Sequence, residues 1–291
     1  MFSIIIPLYN KADYIAETLK SVLNQTYCDY EVIVVNDSST DNSLEEASSF
    51  QDERIHIYTK ENEGVSAARN YGIMHAKYDY IAFLDADDIW ESDYLECQKK
   101  LIGTYPDAGI YSTAFYSLEK GKRKLRNVLI NEHTHFLVHD YFKESVMNGL
   151  SICWTSSLCL KKEVIKEIPM FRVGIKRGED LDLWLRIALN YDVAYLNLPK
   201  VFYRTGLSDS LTSDYSKNGE FPYYEWFNFT SESSYYRKYV ILVVYIHAKN
   251  AFIHHDYDTC LAELWSVKTI AWRFKWAERL LLLVISWIKS K

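Results

Sequence analysis

Tyr80-Ile81-Ala82-Phe83-Leu84-Asp85-Ala86-Asp87-Asp88 is an apolar run that stops abruptly at three carboxylates within four positions. Such a run reads as a buried strand with its polar end at a sheet edge. Clustered anions at a strand end repel one another unless a cation sits among them. Hard divalent cations such as Mg²⁺ or Mn²⁺ take oxygen ligands and bridge one or two carboxylates to substrate phosphates. One reading of the stretch is therefore a metal–diphosphate site. The other is a helix N-cap, with Asp87 or Asp88 capping a helix that begins near Trp90.

Working outward, Phe2–Ile6, Tyr30–Val35 and Ile55–Tyr58 are similar short apolar runs. Between them Ala12–Asn24, Asp41–Phe50 and Gly64–Ala76 carry helical spacing. Strand–helix alternation predicts an α/β fold, a parallel sheet with helices on both sides, and ligands beyond the carboxyl ends of the strands. Those ends are polar: Pro7-Leu8-Tyr9-Asn10, Asn36-Asp37-Ser38-Ser39 and Asp85-Ala86-Asp87-Asp88. From Tyr105 to Tyr203 the pattern becomes mixed, with a basic patch at Lys120–Arg126. Glu179–Asn190 reads as an amphipathic helix, with Leu181, Trp184, Leu185 and Ala188 on one stripe. A polar linker over Ser208–Gly219 then leads to helical stretches at Tyr235–Ile253, Thr259–Ala271 and Phe274–Ile288. The expected organisation is one unit over 1–207, in halves 1–104 and 105–207, followed by a helical C-terminal region over 208–291.

The 291 residues suffice for one large domain with an appendage. A net charge of −6 argues against nucleic acid as a partner, because nothing offsets phosphate repulsion over a broad surface. The five cysteines are odd in number and form no C-x-x-C pair, which favours reduced thiols in a cytosolic protein. The first residues have no basic segment or small-residue cleavage site, and no apolar run is long enough to span a bilayer.

Four motifs then stand in order: Ser3-Ile4-Ile5-Ile6-Pro7-Leu8-Tyr9-Asn10, Val34-Val35-Asn36-Asp37-Ser38-Ser39, Asn62-Glu63-Gly64-Val65-Ser66-Ala67-Ala68-Arg69-Asn70, and Phe83-Leu84-Asp85-Ala86-Asp87-Asp88. With Arg177-Gly178-Glu179-Asp180-Leu181-Asp182-Leu183-Trp184 downstream, residues 2 to 205 resemble the inverting nucleotide-sugar glycosyltransferases of family 2. The resemblance implies a GT-A fold, a mixed and mainly parallel sheet flanked by helices. It also implies transfer of a hexosyl or N-acetylhexosaminyl group from a UDP-sugar to a carbohydrate hydroxyl, as in bacterial surface-polysaccharide synthesis. Pro7 and Tyr9 would border the base, Asp37 would accept the N3–H of uracil, and Arg69 would bind carbonyl or phosphate oxygens. Asp85 would contact the ribose or the metal, and Asp87 would be the main ligand of Mn²⁺ or Mg²⁺. Asp180 would be the general base, with Glu179, Asp88 and Arg204 in support.

Each residue also has a structural reading. Asp37 could cap the helix from Asp41, Glu63 and Asp88 could be solvated loop charges, and Glu179 and Asp180 could serve the positive end of a helix. Asn70 and Gly72 are expected to support packing, and Trp184 to lie in the core. Asp182, two residues on from Asp180, should point elsewhere. Lys11 and Lys60 lie beside the expected diphosphate site, as surface lysines commonly do. One departure from the family pattern is that no histidine follows Tyr203-Arg204, where it would assist the metal. His133, His135 and His139 form a loose cluster read as surface or acceptor-side groups. The tryptophans and basic residues of 271–291 suit either a membrane interface, with a lipid-linked acceptor at the inner membrane face, or a helix packed on its own domain or on a second subunit. Competing functions are a sugar-nucleotide binder without activity and a nucleotidyltransferase of similar topology, although the Gly-rich signature of the latter is missing from Pro7–Ala12.

Overall fold

The structure, a computed structural model, describes residues 1–119, 121–126, 134–149, 151–175, 177–207, 226, 230–253, 256–260 and 262. In chain order the elements are β1 (Phe2–Leu8), α1 (Ala12–Leu23), β2 (Tyr30–Asn36), α2 (Ser43–Ser48), β3 (Ile55–Thr59), α3 (Val65–His75), β4 (Tyr80–Phe83), β5 (Ile89–Trp90) and α4 (Tyr94–Thr104). There follow β6 (Ile110–Glu119), β7 (Lys122–Arg126), β8 (His135–Val138), α5 (Tyr141–Asn148), a single 3₁₀ turn (Thr155–Ser157), β9 (Leu158–Lys161) and α6 (Lys162–Glu167). The last elements are α7 (Glu179–Ala188), β10 (Val193–Arg204) and α8 (Tyr236–Ile253).

One mixed sheet runs in the order β3-β2-β1-β4-β9-β6-β10-β5, with β7 added on β6 and β8 on β10. β1 lies parallel to β2 and β4, and β2 parallel to β3, so four carboxyl ends share an edge. β9 is antiparallel to both β4 and β6, and β10 is parallel to β6. β6 and β10 therefore point the same way as β4, and their ends reach that edge too. Alternation sorts β1 between two cores: Ile4, Ile6 and Leu8 join Ile15, Leu19 and Val22 of α1, while Ile5 joins Ala68 and Ile73 of α3. Both faces are covered, which is why the sequence shows unbroken apolar runs rather than alternation.

Gly72 lets α3 approach this sheet. A Cβ there would stand 2.5 Å from Ile5 Cγ2. Gly72→Ala is expected to cost about 1–3 kcal/mol by overpacking, read as a lowered urea midpoint with an unchanged slope.

No helix begins near Trp90. Ile89–Trp90 is a short strand paired with β10, and α4 starts four residues later behind Asp93. Trp90 stacks on Tyr94 at 4.1 Å and donates its indole N–H to the Ser156 carbonyl, which holds the segment extended. The helix-cap reading of Asp87 and Asp88 is thereby removed. The start of the C-terminal region joins the main core: Tyr236, Tyr239, Val240 and Val244 of α8 share a cluster with Ile5, Phe83 and Trp184. Among the described residues no helix is long and apolar enough to cross a membrane. The segment 271–291 lies outside the described residues, as do His133 and the whole linker Ser208–Gly219.

Candidate active site

The loops after β1 and β2 each turn at a non-glycine residue of positive φ, Asn10 at 50° and Ser38 at 56°. That backbone is costly without compensation, and hydrogen bonds supply it. Asn10 Oδ1 accepts from Thr40 N at 2.8 Å, and Ser38 Oγ donates to the Lys60 carbonyl at 2.7 Å. Asp37, buried at the end of β2, accepts from Lys60 Nζ (3.0 Å), Glu63 N (3.1 Å) and Gly64 N (2.8 Å). It ties the loop after β2 to the loop after β3 rather than capping α2. Its carboxylate has about four acceptor positions, of which these donors take three. Pro7 lies within β1 opposite Val35, and the Tyr9 ring stands 46% exposed at the mouth. Lys60 thus serves Asp37, while Glu63 is a largely solvated charge that also pairs with Lys60.

The carboxylates after β4 divide by environment. Asp85 Oδ1 accepts from Arg69 Nη2 at 2.8 Å, and Asp87 Oδ2 pairs with Lys11 Nζ at 3.0 Å. Asp88 is fully buried, so it is no solvated loop charge. It accepts from Ser156 Oγ at 2.5 Å and from Arg204 N at 3.0 Å. Ser156 Oγ in turn accepts from Asp85 N, so one hydroxyl braces both ends of the Asp-rich turn. Arg204 also donates to the Asp87 carbonyl at 2.6 Å, pairs with Glu17 and lies over Tyr14. Burial pushes the Asp87 carboxyl up despite Lys11, with Asp85 adding repulsion. Burial pushes Asp88 well up, followed by the charges of Asp87 and Asp85.

Across the edge, Gly178 at φ 70° turns the chain into α7, which opens with Glu179 and Asp180. Arg69 joins the two sides. Its guanidinium is 4% exposed, holds Glu179 Oε1 at 2.8 Å through the nitrogen not used for Asp85, and lies over the Phe171 ring. Arg69, expected to bind carbonyl or phosphate oxygens, holds two carboxylates in this structure. Asp180 Oδ2 accepts from Thr155 Oγ1 at 2.9 Å, and Oδ1 from Leu181 N at 2.7 Å. Burial raises the Asp180 carboxyl, partly offset by Arg69. Burial, then the charge of Asp180, pushes Glu179 up to about 7.

Asp182 points away, fully buried, to Arg186 (2.9 Å) and to the Trp226 indole N–H (2.8 Å). Trp184 lies in the core against Phe83 and Phe171. Asn70 makes a two-way pair with the Phe171 backbone, a packing role. His135 meets the Tyr105 hydroxyl and His139 pairs with Asp192, both apart from the carboxylates. Thr155 and Ser156 escaped the sequence reading because nothing in Trp154-Thr155-Ser156-Ser157 distinguishes them from ordinary loop hydroxyls.

Between its unfolded value near 4.5 and about 7, the native Glu179 binds more protons than the unfolded chain. Stability contributed by this group therefore falls as pH rises through that window. Glu179→Gln should lose that slope, so its melting temperature should gain on the wild type between pH 5 and 8. A difference that is flat in pH would contradict the assignment.

Asp85 and Asp87 offer hard oxygen donors two positions apart on one turn, which fits a divalent cation whose sphere is completed by phosphates. No group of three or more His, Cys, Asp and Glu side chains forms an all-protein metal cage among the described residues.

The model of glycosyl transferase family 2 matches residues 3–168. TuaG of Bacillus subtilis (strain 168), named for teichuronic acid biosynthesis, is 32% identical over 198 residues, covering 67% of this chain and 75% of that protein. An uncharacterized glycosyltransferase of Rickettsia felis is 36% identical over 191 residues, 64% of this chain, and the chain spans only 30% of its length. Among solved structures, S. aureus TarS 1-349 in complex with UDP-GlcNAc superposes with a TM-score of 0.71 at 18% identity, covering 90% of this chain and 79% of that one. The mannosyltransferase PcManGT of Pyrobaculum calidifontis, in complex with GDP-Man and Mn2+, gives 0.60 at 18% identity, covering 97% and 80%. These two likenesses establish the GT-A fold.

Proposed function

The chain belongs to glycosyl transferase family 2, and we propose that it moves a sugar from a UDP-sugar to a carbohydrate hydroxyl with inversion at the anomeric carbon. The observation that carries this reading is the reach of Arg69, which binds Asp85 of the strand-end turn and Glu179 of α7 at 2.8 Å each. In this reading Asp180, next to Glu179, faces the acceptor while Asp85 and Asp87 face the diphosphate.

In this mechanism Tyr9 stacks on the base and the remaining acceptor position of Asp37 takes the N3–H of uracil. Asp85 and Asp87 would hold Mn²⁺ or Mg²⁺, which when bound stabilises the charge that develops on departing UDP. The Mn2+ in the PcManGT complex and the UDP-GlcNAc in the TarS complex support this choice of ion class and donor. Lys11 and Arg204 add positive charge around Asp87. Asp180 takes the proton of the attacking hydroxyl. Burial makes it a stronger base than an exposed aspartate, and the Thr155 hydroxyl fixes its orientation.

The test is a panel of UDP- and GDP-sugars incubated with Mn²⁺, reading nucleotide release. UDP release that ends on adding EDTA is expected. Release from GDP-sugars alone would overturn the role of Asp37, and binding of UDP-sugars without turnover by any acceptor mixture would leave a binder.

A further inference from the structure

At the same sheet edge lies a second surface that the donor chemistry leaves unused. Trp154 immediately precedes Thr155, whose hydroxyl holds Asp180. Its partly buried ring stacks on Phe115 at 5.4 Å and lies 4.5 Å from Tyr203, which meets Phe115 edge-on. These three rings line one face of the ladder formed by β6 and β10.

The same face is continued by β7. Directly opposed residues in a ladder share a face, and the register opposes Phe115 to Arg126 and Ser117 to Lys124. Tyr203 is opposed to Ser117 on the other side, which agrees with its contact to Phe115. Lys124 and Arg126 therefore stand on the side of the sheet that carries Trp154. Lys122 stands opposite Glu119, and Arg123, on the reverse face, covers the Phe202 ring at 4.6 Å. Four basic residues in five is an unusual concentration on a chain of net charge −6. Edge strands often carry lysine simply to block sheet-to-sheet pairing. That purpose does not require two cations on the face next to an aromatic platform and one residue from the support of a catalytic base.

We propose that Trp154, Lys124 and Arg126 form the acceptor subsite, and that the acceptor is a glycan bearing a negative charge, carboxylate or phosphate, close to its reacting hydroxyl. The apolar C–H face of the acceptor ring lies on the Trp154 indole, and Lys124 and Arg126 neutralise its anionic group. The chain names the anionic class, and the two chemical sources are separated by the probes below. This rests on the reading of Asp180 as the general base of the same site.

The probes are octyl β-D-glucoside, octyl β-D-glucuronide and octyl β-D-glucoside 6-phosphate, titrated by calorimetry into the full chain loaded with UDP and Mn²⁺. One or both anionic glycosides are expected to bind about ten-fold more tightly than the neutral one, the effect of two exposed ion pairs. The preference should shrink with added salt. In the double variant Lys124→Gln/Arg126→Gln it should vanish while neutral-glycoside and UDP affinities stay put. Trp154→Ala should weaken all three glycosides together and spare UDP. Preference for the glucuronide assigns a uronate, and preference for the phosphate ester assigns a phosphorylated acceptor. Equal binding of the three, no binding by protein that still takes UDP, or a preference that survives the double variant overturns the subsite. Failure of the wild type to bind UDP would instead sink the underlying donor reading.

Discussion

Asp180→Asn is expected to lower kcat for UDP release in the presence of acceptor by about 10²–10⁴-fold, the range a positioned acid–base group supplies. Asparagine keeps the shape of the side chain and can still accept the Thr155 hydroxyl, so folding should be intact. What it loses is the ability to hold a proton taken from the acceptor. UDP affinity should therefore change little, placing the loss in kcat rather than in KM for the donor. The pH profile separates this from a structural defect. In the wild type, Glu179 and Asp180 are both raised by burial and lie next to each other, so they titrate as a pair. The rate should rise with pH as the pair loses its protons, and that limb should flatten in Asp180→Asn. Activity retained within a few-fold, or an unchanged acid limb, would assign the proton transfer elsewhere.

Arg69→Met is the second large effect, and it acts on both stability and activity. The side chain is buried and makes two carboxylate contacts of 2.8 Å. Removing one partner of a buried ion pair typically costs about 3–5 kcal/mol because the remaining charge is left uncompensated. Here two are stranded, Asp85 and Glu179. Arg69 is already lowering the Glu179 carboxyl, which nevertheless stands at about 7. Without the guanidinium it rises further. Below neutral pH the stranded Glu179 then takes a proton and loses its penalty, whereas at alkaline pH it stays charged. The loss in melting temperature should therefore be smaller at pH 5 than at pH 8. Arg69→Lys should recover only part, since a single ammonium cannot fork between two carboxylates as a guanidinium does. A loss independent of pH would mean that Arg69 matters for packing against Phe171 rather than for charge.

The two variants bear on different parts of the sequence reading. The motif order marked Asp85, Asp87 and Asp180, and the strand–helix alternation of the first hundred residues placed the loop of Asp85 and Asp87 at a sheet edge, while Asp180 rested on the family resemblance. Both signals are local: a run of apolar residues buried on both faces, then a polar stop. The partner of Arg69 was not legible, because Glu179 lies 110 positions away and no spacing rule reaches that far. Likewise, the brace of Ser156 on the Asp-rich turn and of Thr155 on Asp180 joins loops 68 and 25 positions apart. Ser and Thr in such loops look like any solvated hydroxyl. The alternative of a helix beginning near Trp90 fell because cross-sheet pairing with Val201 and stacking on Tyr94 hold the segment extended. The burial of Asp88 follows from the same folding back.

What the residues themselves determined was the α/β alternation, the edge at which chemistry collects, and the acid groups found there, since each depends on neighbours a few positions apart. Which carboxylate meets Lys11, which meets Arg69 and which is sealed beneath Ser156 and Arg204 was decided by the tertiary structure. Charge and burial are properties of the space around a group, and that space is filled by segments the chain brings in from far away.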